Sequence, residues 1–145
     1  MRKKDKNKLI IQRTFYYMTD KPLLEVQLRK YEPPGPDFDR NLRVFLLSLG
    51  LIRPGDEQSP LETIFRELLV SKKEIPVDKL AELTHITPSA VRYHLEKLKE
   101  LRLVSGRKNY YLAERDLTVA FSVFRRYVVE EVLDRIEKYV LSLSR

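Results

Sequence analysis

Between Val77 and Glu100 the sequence encodes two amphipathic helices with only three residues between them. VDKLAELT (77–84) carries Val77, Leu80, Ala81 and Leu83 as its inward face. In PSAVRYHLEKLKE (88–100), about 100° per residue brings Val91, Leu95 and Leu98 into one narrow arc. Thr87 can cap this second helix, and Pro88 suits its first position, where a missing backbone N–H costs nothing. Two apolar-faced helices across so tight a joint (His85-Ile86-Thr87) read as a helix-turn-helix.

The flanking segments extend that unit. Upstream, Ser59, Pro60 and Glu62 have the spacing of a capping box. They open a helix that runs to about Ser71 and buries Leu61, Ile64, Phe65, Leu68 and Leu69. Downstream, LRLVS and NYYLA are short runs of strand-favouring residues around a GRKN-like turn. A hairpin in that place is a wing.

The remaining chain divides at its prolines. Residues 1–8 read as a basic tail, and LIIQRTFYYMT (9–19) is apolar without a clean period, open to strand or helix. PLLEVQLRKY (22–31) reads as a short helix with Pro22 at its first position. EPPGP (32–36) forbids a helix or a central strand. DFDRNLRVFLLSLG (37–50) reads as a helix closed by Gly50, with Leu42, Phe45, Leu46 and Leu49 on one face. RPGDEQ (53–58) is a turn. From Asp116 or Thr118 to about Leu143 no Gly or Pro intervenes, enough for a helix about 40 Å long. Its apolar arc is wider than one small domain can cover, which calls for a second copy of the chain. Leu117, Phe121, Phe124, Val128, Val132, Ile136 and Val140 are the expected dimer contacts.

Composition narrows the chemistry. No cysteine occurs, which excludes disulfides, thiolate metal sites and cysteine nucleophiles. His85 and His94 lack the spacing of a zinc site. The four glycines form no phosphate-binding loop or nucleophile elbow. No catalytic residue, metal or cofactor is therefore expected. No apolar run is long enough for a membrane span, and no secretory signal opens the chain, so a cytoplasmic address is the default. Scarce Asn and Gln with abundant Lys, Arg and Glu suggest heat adaptation.

The net charge is +7, and four of those charges come from residues 88–108. Arg92, Lys97, Lys99, Arg102, Arg107 and Lys108 stand there against Glu96 and Glu100. Such a stretch fits a polyanion. Opposite the buried stripe of helix 88–100, the first turn and a half shows Ser89, Arg92 and Tyr93, with no acid among them. Arg92 can pair in two-pronged fashion with guanine O6 and N7, worth about 1–3 kcal/mol of discrimination. Thr87 and Ser89 can bond phosphate or a base edge, and Tyr93 can do either or stack. Lys97 lies on a flank, and Arg107 and Lys108 at the hairpin tip can reach the minor groove or the backbone. Glu96 and Glu100 fall farther along, where the helix would leave the groove.

LAELTHITPSAVRYHLEKLKELRLV followed by a short basic hairpin resembles the DNA-binding core of ArsR- and MarR-type winged-helix regulators, over about residues 61–113. The resemblance implies three helices with a small wing, and a homodimer whose terminal helices pair. It places base reading on Ser89, Arg92 and Tyr93, with wing contacts from Arg107 and Lys108. This wing is very short, and the cysteine ligands of metal-sensing members are absent, so metal control is not implied.

The expected protein is mostly α. It comprises an N-terminal extension (1–58), a winged helix-turn-helix (59–113) and a C-terminal dimerisation helix (114–145). Its expected partners are double-stranded DNA and a second copy, with an effector ligand unspecified. A winged helix used as an adaptor in a larger assembly is the competing reading.

Overall fold

The computed structural model describes residues 20–112, 114 and 116–144, without the side chains of Tyr111 and Leu112. The basic tail and the 9–19 run lie outside the described residues. Helix α1 spans Phe38–Ser48, with Asp37 Oδ1 accepting from the Asp39 N–H at 3.2 Å. Before it, the Asn41 side chain brackets the proline-rich segment, donating to Gly35 O (2.7 Å) and accepting from Gly35 N (3.2 Å). The helix ends as expected at Gly50, whose φ of +68° suits glycine. The Gly50 and Leu51 N–H groups bond back to Leu47 O and Leu46 O, satisfying carbonyls the helix leaves free.

Helix α2 (Pro60–Ser71) buries Leu61, Ile64, Phe65 and Leu68, with Leu69 half-buried. The expected capping box does not form, because Ser59 makes no side-chain cap bond. Glu62 is drawn instead to two guanidiniums, Arg43 at 3.3 Å and Arg66 at 3.7 Å. Arg66 also reaches Asp39 at 3.1 Å, so this chain of charges joins α1 to α2. Phe45 and Phe65 stack beneath it with ring centres 5.8 Å apart.

Strand β1 (Ile75–Pro76), helix α3 (Val77–Thr84), helix α4 (Pro88–Glu100) and strands β2 (Val104–Gly106) and β3 (Asn109–Leu112) complete a winged helix-turn-helix. The hairpin was expected, but the third strand was not. The sheet is antiparallel in the order β1-β3-β2, with Ile75 opposite Tyr110 and Val104 opposite Leu112. Two residues with Pro76 as one of them carry no periodic signal, so only pairing defines β1 as a strand. The core is one cluster, in which Leu46, Ile64, Phe65, Leu68, Leu80, Val91, Leu95, Leu98 and Leu103 are wholly excluded from water. Leu83, expected inward, is exposed. Its position lies off the Val77–Leu80 line that meets α2 and α4.

The segment expected as a helix at 22–31 is instead extended and irregular. Leu24 and Val26 pack on the core while Leu23, Glu25 and Gln27 face outward, a period of two rather than 3.6. The Arg29 N–H bonds to Ser48 O at 2.8 Å and pins this strap to the end of α1. A ten-residue helix would be marginal by itself, and here it would give up two core contacts.

The C-terminal helix starts where Asp116 Oδ1 accepts from the Thr118 N–H at 2.9 Å. It has three parts: α5 (Leu117–Phe124), a π turn (Arg125–Val129) and α6 (Glu130–Leu143). The sequence pattern suggests an uninterrupted α-helix, and the π turn is a departure. Its bonds run from i to i+5, so residues four apart stay closer to one side than in an α-helix. Ala120, Phe124 and Val128 are buried in line as a result.

Candidate nucleic-acid interface

Helix α4 owes its start to Thr87, whose Oγ1 accepts from the Ala90 N–H at 3.2 Å, and to Pro88 in the first turn. Val91, Leu95 and Leu98 fasten its underside to the core. Ser89, Arg92 and Tyr93 are left on the outer side, all exposed, with Tyr93 at 61%. The first turn has no acid. The described part of the N-terminal extension leaves this surface open.

One turn on, the Lys97 ammonium lies 4.5 Å from the centre of the Tyr93 ring. That cation–π contact holds the two side chains together on one flank. His94 meets the other edge of Tyr93, ring centres 5.6 Å apart. Its Nδ1 is buried without a hydrogen-bond partner among the described residues. Burial, with Lys97 adding to it, pushes the imidazole below its ordinary value and favours the neutral ring.

The wing is bound to α4 and α3 at its base. Lys99 Nζ donates to Gly106 O at 3.0 Å, and the Val77 N–H donates to Lys108 O at 3.2 Å. Gly106 has φ +133°, and a Cβ there would run into the Asn109 carbonyl. Only glycine fits that corner. The exposed tip is therefore just Arg107 and Lys108. On β3, Tyr110 turns into the core at 2% exposure, and its hydroxyl shares a hydrogen bond with the Glu96 carboxylate. Burial, then the negative charge of Glu96, raises the phenol above its ordinary value, while Arg92 opposes the shift. Glu96 is therefore held by the wing rather than only lying beyond the groove, as its position along the helix suggested.

The DNA-facing residues expected from sequence thus occupy two surfaces: Thr87, Ser89, Arg92, Tyr93 and Lys97 on α4, and Arg107 and Lys108 on the wing. Lys99 and Tyr110 were not singled out as site residues. Strand alternation implies that one of the Tyr110–Tyr111 pair turns inward, but the distant Glu96 partner has no signature in local sequence.

The expected dimer contacts separate into two groups. Phe124 and Val128, at 1% and 2% exposure, belong to this chain's own core, so they are not a free face. Leu117 and Phe121 are half-buried against the same core. Val132 is intermediate, while Ile136 and Val140 are open together with Leu133, Tyr139 and Leu143. Between this open face and Lys21–Leu24 runs a groove of about 760 Å³, lined by Leu24, Arg102, Tyr127, Val132, Ile136 and Tyr139. Among the described residues, no three His, Asp or Glu side chains converge as a metal site. No described helix is long and apolar enough to cross a membrane.

No curated protein and no solved structure matches the chain. Residues 68–105, from the end of α2 to β2, match the family model described as bacterial regulatory protein, arsR family. With the three helices and the small sheet in place around that segment, the chain carries the winged helix-turn-helix of a DNA-binding transcription regulator.

Proposed function

We propose that the protein is a sequence-specific regulator of double-stranded DNA that acts as a homodimer. The carrying observation is the open, acid-free start of α4, set on a rigid underside within the segment that matches the regulator family. In this reading α4 enters the major groove. Arg92 reads guanine, Thr87, Ser89 and Tyr93 contact phosphate or base edges, and Lys97, Arg107 and Lys108 meet phosphates. The three sequence regions keep distinct roles: residues 1–58 buttress, 59–113 read DNA, and 114–145 pair copies. They are not separate folding units, since Leu42 and Val128 share one core with the reading domain.

The dimer is supported by the apolar face Leu133, Ile136, Tyr139, Val140 and Leu143, each more than half exposed along one helix. A contiguous apolar surface of this kind marks an interaction site, and a second copy matches it in character. Two reading heads about one helical turn apart would then recognise a near-palindromic site. An effector ligand would find its most apolar opening in the groove beside Tyr127 and Ile136.

Selection of bound duplexes from a random library, followed by mobility shifts across a salt series, tests this reading. The expected outcome is a two-half-site consensus bound with an affinity that falls steeply with salt. Weak retention at low salt and no enriched sequence would instead favour an adaptor that uses the same apolar helix for other proteins. The charged, amide-poor composition leads to an expected melting temperature above the mesophile range of about 45–65 °C.

A further inference from the structure

The outward face of α4 holds one acid close to its proposed reading residue. Glu96 is one helical turn after Arg92, a spacing at which opposite charges attract. A carboxylate free to swing toward Arg92 would occupy the guanidinium donors that guanine needs, and it would also face DNA phosphates. Among the described residues Arg92 and Glu96 form no ion pair. Glu96 is instead engaged by the hydroxyl of Tyr110, and Arg92 lies near enough to sense that phenol. Tyr110 is itself immobilised, being buried on β3 opposite Ile75 and Gly106. Lys99, bonded to Gly106 O, secures the neighbouring strand to the same helix.

We infer that Tyr110 is a positioning residue for DNA reading: its hydroxyl parks the Glu96 carboxylate against the wing and leaves the Arg92 guanidinium free for a base. The wing on this view has a task besides carrying Arg107 and Lys108 to the DNA. Its second strand supplies the group that disarms an acid on the reading helix. This inference rests on the proposed DNA reading by Arg92.

The test compares binding of a library-selected duplex and a random duplex by wild type, Tyr110→Phe, Glu96→Asp and the double variant Tyr110→Phe/Glu96→Gln. Removing the hydroxyl releases a charged Glu96, so Tyr110→Phe lowers the ratio of selected to random affinity about five- to tenfold, the lower part of what a lost base contact costs. The double variant, in which the freed side chain is neutral, recovers most of the ratio. A merely structural role for Tyr110 predicts no recovery. Glu96→Asp keeps the charge but shortens the reach, and it lowers the ratio like Tyr110→Phe, giving a decisive variant even if the phenylalanine substitution unfolds the wing. An unchanged ratio in Glu96→Asp or in a folded Tyr110→Phe overturns the inference, as does a loss that Glu96→Gln leaves in place. If the wild type itself fails to discriminate the two duplexes, the DNA reading fails rather than the Tyr110 latch.

Discussion

The two halves of the C-terminal helix have the same kind of sequence and opposite fates. Residues 117–129 bury Ala120, Phe124 and Val128 under the reading domain. Residues 130–143 bury nothing, although Leu133, Ile136, Tyr139, Val140 and Leu143 repeat at the same spacing. Apolar periodicity identifies a helix and the side of it that avoids water. It does not say whose surface provides the cover. That depends on how far the folded domain extends along the helix, here about as far as Val132.

The sharpest way to break this comparison is to damage each half in turn. Phe124→Ala opens a cavity in a filled core and is expected to cost about 3–5 kcal/mol of folding stability, measured by denaturant unfolding. A loss under 1 kcal/mol would mean that the first half is as uncovered as the second. Ile136→Asp with Val140→Asp should leave the fold in place, as seen by circular dichroism, and reduce the mass in light scattering from two chains to one. If wild type and variant both run as monomers, the distal half needs no second copy.

Smaller effects come from the reading surface. Arg92→Ala is expected to lower discrimination between selected and random duplexes by about 1–3 kcal/mol, more than it lowers total binding. An equal loss on both duplexes would put Arg92 on phosphate alone. Lys108→Ala should weaken all sequences alike and reduce the salt slope by about one. An unaltered slope would keep the wing tip off the DNA.

The smallest expected effect concerns His94, whose folded-state value lies below the ordinary 6.5. As pH falls through 6.5 the unfolded imidazole takes up a proton while the folded one resists, so stability drops in the window between the two values and is unaffected above it. His94→Gln should flatten this part of a stability–pH profile. A slope equal to that of the wild type would assign it to other groups.

Much of this architecture was legible in the order of residues. The caps at Asp37, Thr87 and Asp116, Pro88 in the first turn of α4 and the glycine at 50 are local chemistry, and local chemistry is written locally. The outward set Ser89, Arg92 and Tyr93 was readable for the same reason. The strap at 22–31 was misread because two apolar residues in alternation weigh little against a proline that suits a helix start. The capping box failed because Glu62 had a stronger offer from Arg43, nineteen residues away. Tyr110 and Glu96, and the cover over Phe124, likewise depend on which elements the fold brings together, and no window along the chain holds that information.

The π turn at Arg125–Val129 has a consequence for how such a protein could diversify. It accommodates one residue more than a regular helix would, between a half committed to its own domain and a half that is not. Deleting a single residue there would rotate everything beyond it by about 100° around the axis while the proximal packing stayed put. One codon lost or gained could thus swivel Ile136 and Val140 toward a new direction and change the spacing of two joined heads without touching the residues that read.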